Sequence, residues 1–348
     1  MKSDMVTQET SARWTPEKVW AWQRAQQWRC GFNYLPASAV NSTEMWQAET
    51  FDLPAIEREL NWAKQIGFNS CRVFLQYLVW EDDPQGLLTR LDQFLQAAHE
   101  RGLTTILILF DDCAFAGREP YLGPQDAPVA GVHNSGWTPS PGRSRVVDEK
   151  YWLRLREYVQ AVIGRFQTDP RVHCWDLYNE PGNNGTGDES LPLLQACFAW
   201  AREIAPSQPL TTGVWNKEST ACDEFVCKAS DILSFHEYTD LETTQARVAQ
   251  LQSFERPLLC TEWMSRTLAS LFQTHLPYFH STGIGCYFWG LSNGRTQTHW
   301  PWGSLPAAPP PELWFHDLLD SNGQPHRADE LELIRRVLAR TSTAGAGD

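Results

Sequence analysis

Short apolar runs alternate with amphipathic segments along most of the chain. "RCGFNYLP", "NSCRVFLQ" and "LTTILILF" have the length and the β-branched and aromatic content of buried strands. Between them, "DLPAIERELNWAKQIG" and "LLTRLDQFLQAAHERG" place apolar residues every three or four positions, as an amphipathic helix does. In the first of these helices Asp52 is suited to the cap, Pro54 to the first turn and Gly67 to the end. The pattern predicts alternating strands and helices.

The same order continues to about residue 320. Helices are predicted at 148–166, 189–204, 223–228, 241–253 and 267–281, and strands at "RVHCWDLY", "PLTTGVW", "ILSFHEY", "PLLCTEW" and "GCYFWG". Eight strands that alternate with helices indicate a parallel sheet, and in a chain of 348 residues they favour closure into an α/β (β/α)8 TIM barrel. An open doubly wound sheet is the alternative, but the chain has no glycine-rich nucleotide-binding turn.

The ends of the chain set the predicted domain boundaries. Residues 12–27 are expected to form an extra helix under the barrel, and a single barrel domain is expected over residues 12–340. Residues 1–11 and 341–348 are expected to be disordered.

Charge and composition exclude several classes of partner. The formal net charge of -13 and the absence of a basic tract argue against nucleic-acid binding. No run approaches 18 apolar residues, and the N-terminal "MKSDMVTQETSARW" lacks the apolar centre of a signal peptide. We therefore expect a cytoplasmic protein that does not bind membranes, and the oligomeric state stays open.

The nine cysteines are scattered and none lies in C-x-x-C spacing. Several fall within apolar runs, where a reduced thiol behaves as a small hydrophobic side chain. Strand 1 also lacks the His-x-His of many metal-dependent barrel hydrolases. We expect no zinc site, no other metal and no cofactor.

Polar side chains lie at or near the ends of the predicted strands. In a (β/α)8 barrel the C-terminal ends of the strands carry the active site. The strand-end candidates, in chain order, are Asn33, Arg72, Asp111, Asp112, Asn179, Glu180, Trp215, His236, Tyr238, Glu262 and Trp289.

Two of these residues are carboxylates on opposite sides of the predicted barrel mouth, Glu180 after strand 4 and Glu262 after strand 7. A single carboxylate at a strand end is usually a helix cap or a partner in a loop ion pair. Two that face each other have the chemistry needed for glycosidic bond cleavage, in which one protonates the leaving oxygen and the other stabilises or captures the sugar cation.

With these residues in place, the chain resembles the clan of glycoside hydrolase barrels that includes glycoside hydrolase family 5. The resemblance covers nearly the whole barrel. In that clan an Asn-Glu pair ends strand 4, as in "YNEP", and a second Glu ends strand 7, as in "LLCTEW". The Arg of "SCRVF", the His-x-Tyr of "FHEYTD" and a strand 8 Trp complete the match with Arg72, His236, Tyr238 and Trp289.

The resemblance implies a retaining double displacement. Glu262 is expected to be the nucleophile, kept ionised by Arg72 and Tyr238, with its carboxyl about 5–5.5 Å from that of Glu180. Glu180 is expected to be the acid/base, with a pKa raised by burial and by the neighbouring carboxylate. Asn179 is expected to bind the sugar 2-hydroxyl, and His236 to orient a carboxylate or contact the sugar.

One departure from the family concerns strand 3, which usually carries a His near its end, whereas this chain has "LFDDCAF". His133 and Asn134 in the following loop are the candidate replacements. Asp111 and Asp112 are interpreted as ligands of sugar hydroxyls or as loop caps, with a divalent-ion site as a further alternative.

Tryptophans and long loops suggest the shape of the cleft. Sugar rings stack on aromatic planes, and the tryptophans that bracket the predicted mouth are Trp80, Trp137, Trp215, Trp263, Trp289, Trp300 and Trp302. The loop from Gly117 to Gly142 and the loop after strand 8 are long enough to form walls. Walls favour an exo-acting enzyme or one for short β-linked oligosaccharides of gluco, manno or xylo type. The alternatives are an endo-acting enzyme and a non-catalytic sugar-binding barrel.

Overall fold

Neighbouring strands pair in parallel throughout one nine-stranded sheet. The computed structural model describes residues 12–216 and 220–344. The strands are β1 Cys30–Tyr34, β2 Ser70–Phe74, β3 Thr104–Asp111, β4 Val172–Asn179, β5 Leu210–Thr211, β6 Gly213–Val214, β7 Leu233–His236, β8 Leu258–Trp263 and β9 Gly285–Trp289.

The sheet runs in the order β5-β4-β3-β2-β1-β9-β8-β7-β6. Its two edge strands are consecutive in sequence and are separated only by Thr212, with β5 paired to β4 and β6 paired to β7. The predicted fifth strand therefore exists as two short pieces that bring the edges of the sheet together. The predicted (β/α)8 barrel is confirmed.

Helices surround the strands and occupy the positions that the apolar periodicity indicates. They are α1 Pro16–Arg24, α2 Ser42–Trp46, α3 Leu53–Ile66, α4 Tyr77–Asp82, α5 Pro84–His99, α6 Arg143–Val147, α7 Trp152–Phe166, α8 Leu191–Ile204, α9 Ala221–Ala229, α10 Leu241–Gln252, α11 Phe272–Thr282 and α12 Ala328–Ala344. Short 3-10 turns cover Glu149–Tyr151, Gly187–Ser190 and Arg266–Leu268.

Local chemistry explains where α3 begins and ends. The Asp52 carboxylate accepts a hydrogen bond from the backbone N–H of Ala55, and Pro54 lies in the first turn. At the other end Gly67 has a φ of 109°, which is a left-handed conformation that glycine adopts without a steric penalty. These three predicted roles are confirmed.

The predicted extra helix is α1, which closes the N-terminal end of the barrel. Val19 is fully buried in a cluster with strand residues that include Ile106 and Leu259. Trp14, just before α1, belongs to the same cluster and donates its backbone N–H to Asp231. The barrel is thus filled from below by apolar side chains.

Several elements differ from the sequence predictions. The helices α2, α4, α6 and α12 were not predicted, because three of them are single turns inside loops and α12 follows a long loop. The helix predicted at 267–281 begins only at Phe272, because Ala269 has a φ of 64° and the backbone of Ser265 pairs with that of Ser270.

The predicted boundaries at residues 12 and 340 remain predictions. Residues 1–11 and 345–348 lie outside the described residues, and α12 ends at Ala344. Among the described helices none combines the length and the apolar character needed to cross a membrane.

Two long segments lie at the C-terminal end of the barrel. The β3 loop, residues 112–142, connects β3 to α6, and the β9 loop, residues 290–327, connects β9 to α12. They approach each other above β1 and β2, because these two strands lie between β9 and β3 in the sheet.

We expect Gly31→Ala to destabilise the barrel. A Cβ atom at Gly31 would lie 2.3 Å from the backbone oxygen of Ser70, which pairs with Gly31 across β1 and β2. Forcing the strands apart should lower the free energy of unfolding by about 1–3 kcal/mol, measured by denaturant unfolding.

The matched control for this variant is Gly164→Ala in α7. Its Cβ would meet only the Cδ1 atom of Ile204, at 3.7 Å. A helical Gly→Ala change of this kind should stabilise the protein by about 0.5–1 kcal/mol. Equal unfolding midpoints for the two variants would contradict the close approach of β1 to β2.

Candidate active site

A cavity of about 490 Å³ opens at the C-terminal ends of the strands. This is the size range of small-molecule sites in proteins. The predicted site residues that line the cavity are His133, Asn134, Trp137, Asn179, Glu180, Trp215, His236, Tyr238, Glu262 and Trp289. The structure therefore brings together ten side chains from six separate parts of the sequence.

The guanidinium group of Arg72 lies directly beneath this cavity and is fully buried. It contacts the carboxylate of Asp176 through Nε and Nη2 at 3.0 and 2.8 Å. Its Nη1 donates to Glu262 Oε1 at 2.7 Å and to Asn33 Oδ1 at 2.8 Å, and its Nη2 donates to Asn179 Oδ1 at 2.6 Å. One cation thus joins residues of β1, β2, β4 and β8.

Glu262 is held on both oxygens. Arg72 binds Oε1, and the hydroxyl of Tyr238 donates to Oε2 at 2.8 Å. His236 lies further off, with Nδ1 3.6 Å from Oε2. The carboxylate is therefore oriented by a cation from below and by a hydroxyl donor from the side.

Glu180 faces Glu262 across His236. Its Oε1 lies 2.8 Å from His236 Nδ1, and its Oε2 accepts from the thiol of Cys113 at 3.0 Å and from the Asn183 amide. The backbone φ of Glu180 is 45°, a left-handed conformation that is uncommon for a residue with a side chain. Backbone strain of this kind is concentrated at functional sites in proteins, so the φ of Glu180 agrees with a functional role for the cavity.

One oxygen of Glu180, one oxygen of Glu262 and one ring nitrogen of His236 lie within 4.8 Å of one another. This upper limit lies close to the separation of about 5–5.5 Å between the two carboxyl groups of retaining glycosidases, and it is well short of the roughly 6.5–9.5 Å of inverting ones. The same three groups could ligate a metal ion, but the Arg72 guanidinium in contact with Glu262 opposes a second cation there.

A sequence model of a known family decides the classification. The model described as "Cellulase (glycosyl hydrolase family 5)" matches residues 36–299, which is well over half of the chain. The chain belongs to glycosyl hydrolase family 5.

Curated relatives of this family 5 chain match it over a shorter stretch. Mannan endo-1,4-beta-mannosidase A of Podospora anserina is 30% identical over 125 residues, which is 35% of this chain and 28% of that protein. Mannan endo-1,4-beta-mannosidase F of Aspergillus clavatus is 24% identical over 130 residues, which is 36% of this chain and 26% of that protein. The matched stretches thus cover under a third of each relative.

Solved structures of similar fold cover nearly all of the chain. An exo-beta-1,4-mannosidase from Opitutaceae bacterium strain TAV5 has a TM-score of 0.62 at 19% identity, over 92% of this chain and 60% of that one. An endo-beta-1,4-mannanase from Thermotoga petrophila has a TM-score of 0.59 at 13% identity, over 92% and 78%. A family 5 mannosidase from Rhizomucor miehei has a TM-score of 0.58 at 13% identity, over 90% and 92%. At these identities the likeness concerns the fold.

Four predicted site residues of the family 5 barrel do not line the cavity. Arg72 and Asn33 lie below it, where Asn33 Nδ2 donates to the backbone oxygen of Thr261 at 2.8 Å. Asp111 lies behind the wall and accepts from Trp137 Nε1 at 2.7 Å and from Asn179 Nδ2 at 2.8 Å. These residues orient others rather than facing the cavity.

The interpretation of Asp112 as a ligand of sugar hydroxyls is wrong in this structure. Its side chain points out of the barrel and accepts from Tyr178, from the backbone N–H of Gly182 and from the hydroxyls of Thr186 and Ser190. Successive strand residues face opposite sides of a sheet, and Asp111 takes the inward direction. Asp112 acts as the loop cap that the sequence left as the alternative.

The pKa values of the two facing glutamates are set by different neighbours. Burial raises the pKa of Glu180, but hydrogen bonds from His236, Cys113 and Asn183 outweigh it, and the net change is a lowering. Burial raises the pKa of Glu262, although His236 and Arg72 oppose the change. The pKa of Glu180 predicted from the sequence is raised, which differs from the structure because the sequence does not reveal the hydrogen bonds from His236, Cys113 and Asn183.

Burial also raises the pKa of Asp111 to about 7, against the hydrogen bonds from Asn179, Cys113 and Trp137. The carboxylate partners of Arg72 are therefore Asp176 and Glu262, and Asp111 acts through its hydrogen bonds to Asn179 and Trp137. Two hydrogen bonds fix the orientation of the Asn179 amide: Arg72 donates to Asn179 Oδ1, and Asn179 Nδ2 donates to Asp111.

Aromatic rings form one wall of the cavity. Phe74, Trp137 and Trp289 are in mutual edge contact, with centroid distances of 4.9, 5.7 and 5.9 Å. Trp302 lies opposite, 5.1 Å from the ring of Tyr238. Trp80, Trp263 and Trp300, which were expected near the mouth, do not line the cavity.

Cys113 and His316 also line the cavity, and the sequence reasoning assigned neither of them to the site. Cys113 directly follows Asp111 and Asp112, so its position at a strand end was a usable signal. His316 lies in the β9 loop far from any motif, and only the fold brings it to the cavity. His133, the proposed stand-in for the strand 3 His, lines the cavity beside His316 and does not contact Glu180.

The β3 and β9 loops are joined by backbone hydrogen bonds beside the cavity. Asn134 N donates to Thr296 O at 2.7 Å, and Ala307 N donates to Ala130 O at 2.7 Å. The side chain of Gln297 adds a bond to Val129 O at 2.9 Å. The two loops thus form a continuous wall over the β1 and β2 side of the mouth.

We expect a single cysteine, Cys113, to react with iodoacetamide in the native protein. Eight of the nine cysteines are buried, and Cys113 is partly exposed in the cavity. Burial and the nearby carboxylates of Glu180 and Asp111 raise the pKa of the Cys113 thiol well above its usual value, so the reaction at pH 8 should be slow. Intact-protein mass spectrometry should detect one adduct.

Cys113→Ser serves as the control for this labelling. It should remove the adduct without a change in the unfolding midpoint, because the hydroxyl can replace the thiol as donor to Glu180. Rapid labelling of several cysteines in the native protein would contradict the buried positions of the other eight.

Proposed function

We propose that this chain is a retaining β-glycosidase that removes single sugars from the non-reducing ends of short β-linked oligosaccharides, with manno-type substrates favoured. The observation that carries the proposal is the pair Glu180 and Glu262, with oxygens within 4.8 Å of each other at the floor of the cavity. The retaining mechanism agrees with membership of glycosyl hydrolase family 5.

In the first step Glu262 attacks the anomeric carbon. The C–O bond to the leaving group breaks while a bond forms to a Glu262 oxygen, which gives a covalent glycosyl-enzyme. Arg72 and Tyr238 prepare Glu262 for this role, since each donates to the anionic carboxylate and opposes the effect of burial.

Glu180 supplies the proton that the leaving oxygen needs. Oε1 of Glu180 and Nδ1 of His236 share a hydrogen bond of 2.8 Å. Transfer of the Nδ1 proton from a His236 imidazolium to the Glu180 carboxylate gives a neutral imidazole and a neutral acid. In the second step Glu180 takes a proton from water, the water oxygen bonds to the anomeric carbon, and Glu262 is released. His236 is therefore the proposed proton partner of Glu180.

Asn179 is the proposed donor to the sugar 2-hydroxyl. Its Oδ1 is occupied by Arg72, and one hydrogen of Nδ2 is directed at Asp111. The second hydrogen of Nδ2 makes only a long contact, 3.6 Å, with the sulfur of Cys113 at the cavity wall. Sulfur is a weak acceptor, so this hydrogen can turn to the oxygen of the 2-hydroxyl when a sugar is bound. This interaction strengthens as positive charge develops on the sugar ring.

Exo action is supported by the wall that the β3 and β9 loops form. A polymer that passes through the site needs a cleft open on both sides of the two carboxylates, and the wall covers the side above β1 and β2. Manno specificity is supported by the curated relatives, which are mannosidases by name, and by the mannosidase and mannanase structures of similar fold. Endo action is the second candidate, because both kinds occur among these relatives.

We expect Glu180→Ala and Glu262→Ala each to lower kcat on an aryl β-mannoside by at least about 10³-fold. Azide should restore activity to both, with the β-glycosyl azide as the product of Glu180→Ala and the α-glycosyl azide as the product of Glu262→Ala. Nuclear magnetic resonance distinguishes the two products.

Glu237→Ala is the matched control for these two variants. Glu237 also lines the cavity, but its carboxylate accepts from Thr239 and not from the residues around Glu180 and Glu262. We expect it to lose less than about 10-fold in kcat. Wild-type activity in both alanine variants would overturn the assignment of the two carboxylates.

We expect Tyr238→Phe to shift the acid limb of the kcat/KM profile to higher pH. The Tyr238 hydroxyl donates to Glu262, and loss of a donor to a carboxylate raises its pKa further above the already raised value. Activity then disappears at a higher pH as the medium is acidified. An unchanged acid limb would show that Glu262 is not the group that titrates there.

We expect mannotriose to be degraded stepwise from its non-reducing end, with little change in the viscosity of long mannan. Chromatography of reducing-end-labelled oligosaccharides distinguishes this from internal cleavage. A rapid fall in viscosity would support the endo candidate and leave the two-carboxylate mechanism intact.

A further inference from the structure

Two histidines from different loops stand side by side on the cavity wall. His133 of the β3 loop and His316 of the β9 loop have ring centroids 5.6 Å apart, and both rings line the cavity. Both side chains are largely buried, at 5% and 1% exposure. They form a compact patch, here called the His133–His316 pair.

Each ring uses Nδ1 for a backbone carbonyl. His133 Nδ1 lies 2.7 Å from Trp300 O, and His316 Nδ1 lies 2.6 Å from Met264 O. A carbonyl oxygen only accepts hydrogen bonds, so Nδ1 carries the proton in both rings. In a neutral imidazole the remaining nitrogen, Nε2, is then an acceptor without a hydrogen.

Both rings are neutral at ordinary pH. Burial lowers the pKa of His133 to about 4 and the pKa of His316 well below its usual value. Phe315 packs against both rings, with centroid distances of 5.8 and 4.3 Å, and adds to the apolar surroundings. Neither Nε2 has a hydrogen-bond partner among the described residues, so the pair presents two unused acceptors.

The position of the pair relates it to the sugar that Glu262 would attack. The ring of His316 lies 5.3 Å from that of Tyr238, whose hydroxyl donates to Glu262. The ring of Trp302 lies near both histidines, with its centroid 6.0 Å from that of His316 and 6.4 Å from that of His133. The pair therefore belongs to the Glu262 side of the cavity and to the wall that closes it.

We propose that the His133–His316 pair is the subsite that selects a neutral, unsubstituted non-reducing sugar, by accepting hydrogen bonds from its hydroxyl groups. This inference rests on the proposed function for the orientation of the sugar. The two Nε2 acceptors match sugar hydroxyl groups, which donate hydrogen bonds. A methyl ether has no hydrogen to donate. The carboxylate of a uronate would be repelled by the Nε2 lone pairs and by the two glutamates. The wall formed by the β3 and β9 loops would therefore select both the identity of the sugar and the end of the oligosaccharide chain.

The test uses 4-nitrophenyl β-D-mannopyranoside and its 3-, 4- and 6-deoxy analogues. In the wild type we expect at least one deoxy analogue to lose about 10-fold or more in kcat/KM, because a buried acceptor is then left unpaired. In His133→Phe or His316→Phe the parent glycoside should show a similar loss, and the further loss caused by that deoxygenation should fall below about twofold.

His326→Phe is the matched control. His326 lies in the β9 loop outside the cavity, where it stacks on Trp314 at 4.4 Å. It should keep the wild-type discrimination among the four glycosides. Wild-type discrimination among the four glycosides in both His133→Phe and His316→Phe would overturn the proposal. Equal kcat/KM of the wild type on all four glycosides would also overturn it, and this second result does not depend on the folding of a variant.

A failure of the proposed function is recognised separately. If the wild type hydrolyses none of the four glycosides, the same comparison is made on dissociation constants from tryptophan fluorescence titration, since Trp302 contacts both rings. Discrimination that disappears in the phenylalanine variants would still support the pair. Equal binding of all four glycosides, or binding of none, would overturn it.

Discussion

The ion pair between Arg72 and its two carboxylates is the interaction on which the mouth of the barrel depends. The guanidinium is fully buried, and every one of its directions is occupied by Asp176, Glu262, Asn33 or Asn179. Removing one member of such a buried pair typically costs about 3–5 kcal/mol, because a charge is then left unpaired in a poor solvent. The geometry of the site and the stability of the barrel therefore rest on the same cation.

Three hydrogen-bond donors surround the carboxyl group of Glu180. Cys113, Asn183 and His236 all reach this carboxyl, and they lower its pKa in the free site, whereas Glu262 has fewer donors and a raised value. In the proposed mechanism, the hydrogen bond between His236 and Glu180 is the route by which the proton for the leaving group reaches Glu180. Arg72 and Tyr238 act on the other carboxyl, that of Glu262.

Much of the fold and the centre of the site could be predicted from the sequence. Buried parallel strands have a simple apolar signature, and the rule that active sites lie at their C-terminal ends predicted that Asn179, Glu180 and Glu262 share one end of the barrel, where they line one cavity. The direction of a side chain at a strand end could not be predicted, because a shift of one residue reverses it, as Asp111 and Asp112 show. His316 could not be identified either, since its place depends on the path of a long loop.

The short helices and the divided fifth strand were also beyond sequence reasoning. The helices α2, α4 and α6 span five or six residues each, which is too short for an apolar period to appear. The two pieces of the fifth strand flank Thr212 and are defined by their partners β4 and β7 rather than by their own composition. Tertiary pairing decides such elements.

The apolar closure of the barrel by α1 and Trp14 determines how molecules move through the site. With the lower end filled and the β1 and β2 side walled by loops, a substrate of the proposed exo reaction would enter, and its products would leave, through the same opening. The aglycone would lie nearer that opening than the sugar held against the wall, so it would depart first. Release would then be ordered, with the liberated monosaccharide as the last occupant and a natural inhibitor of the next turnover.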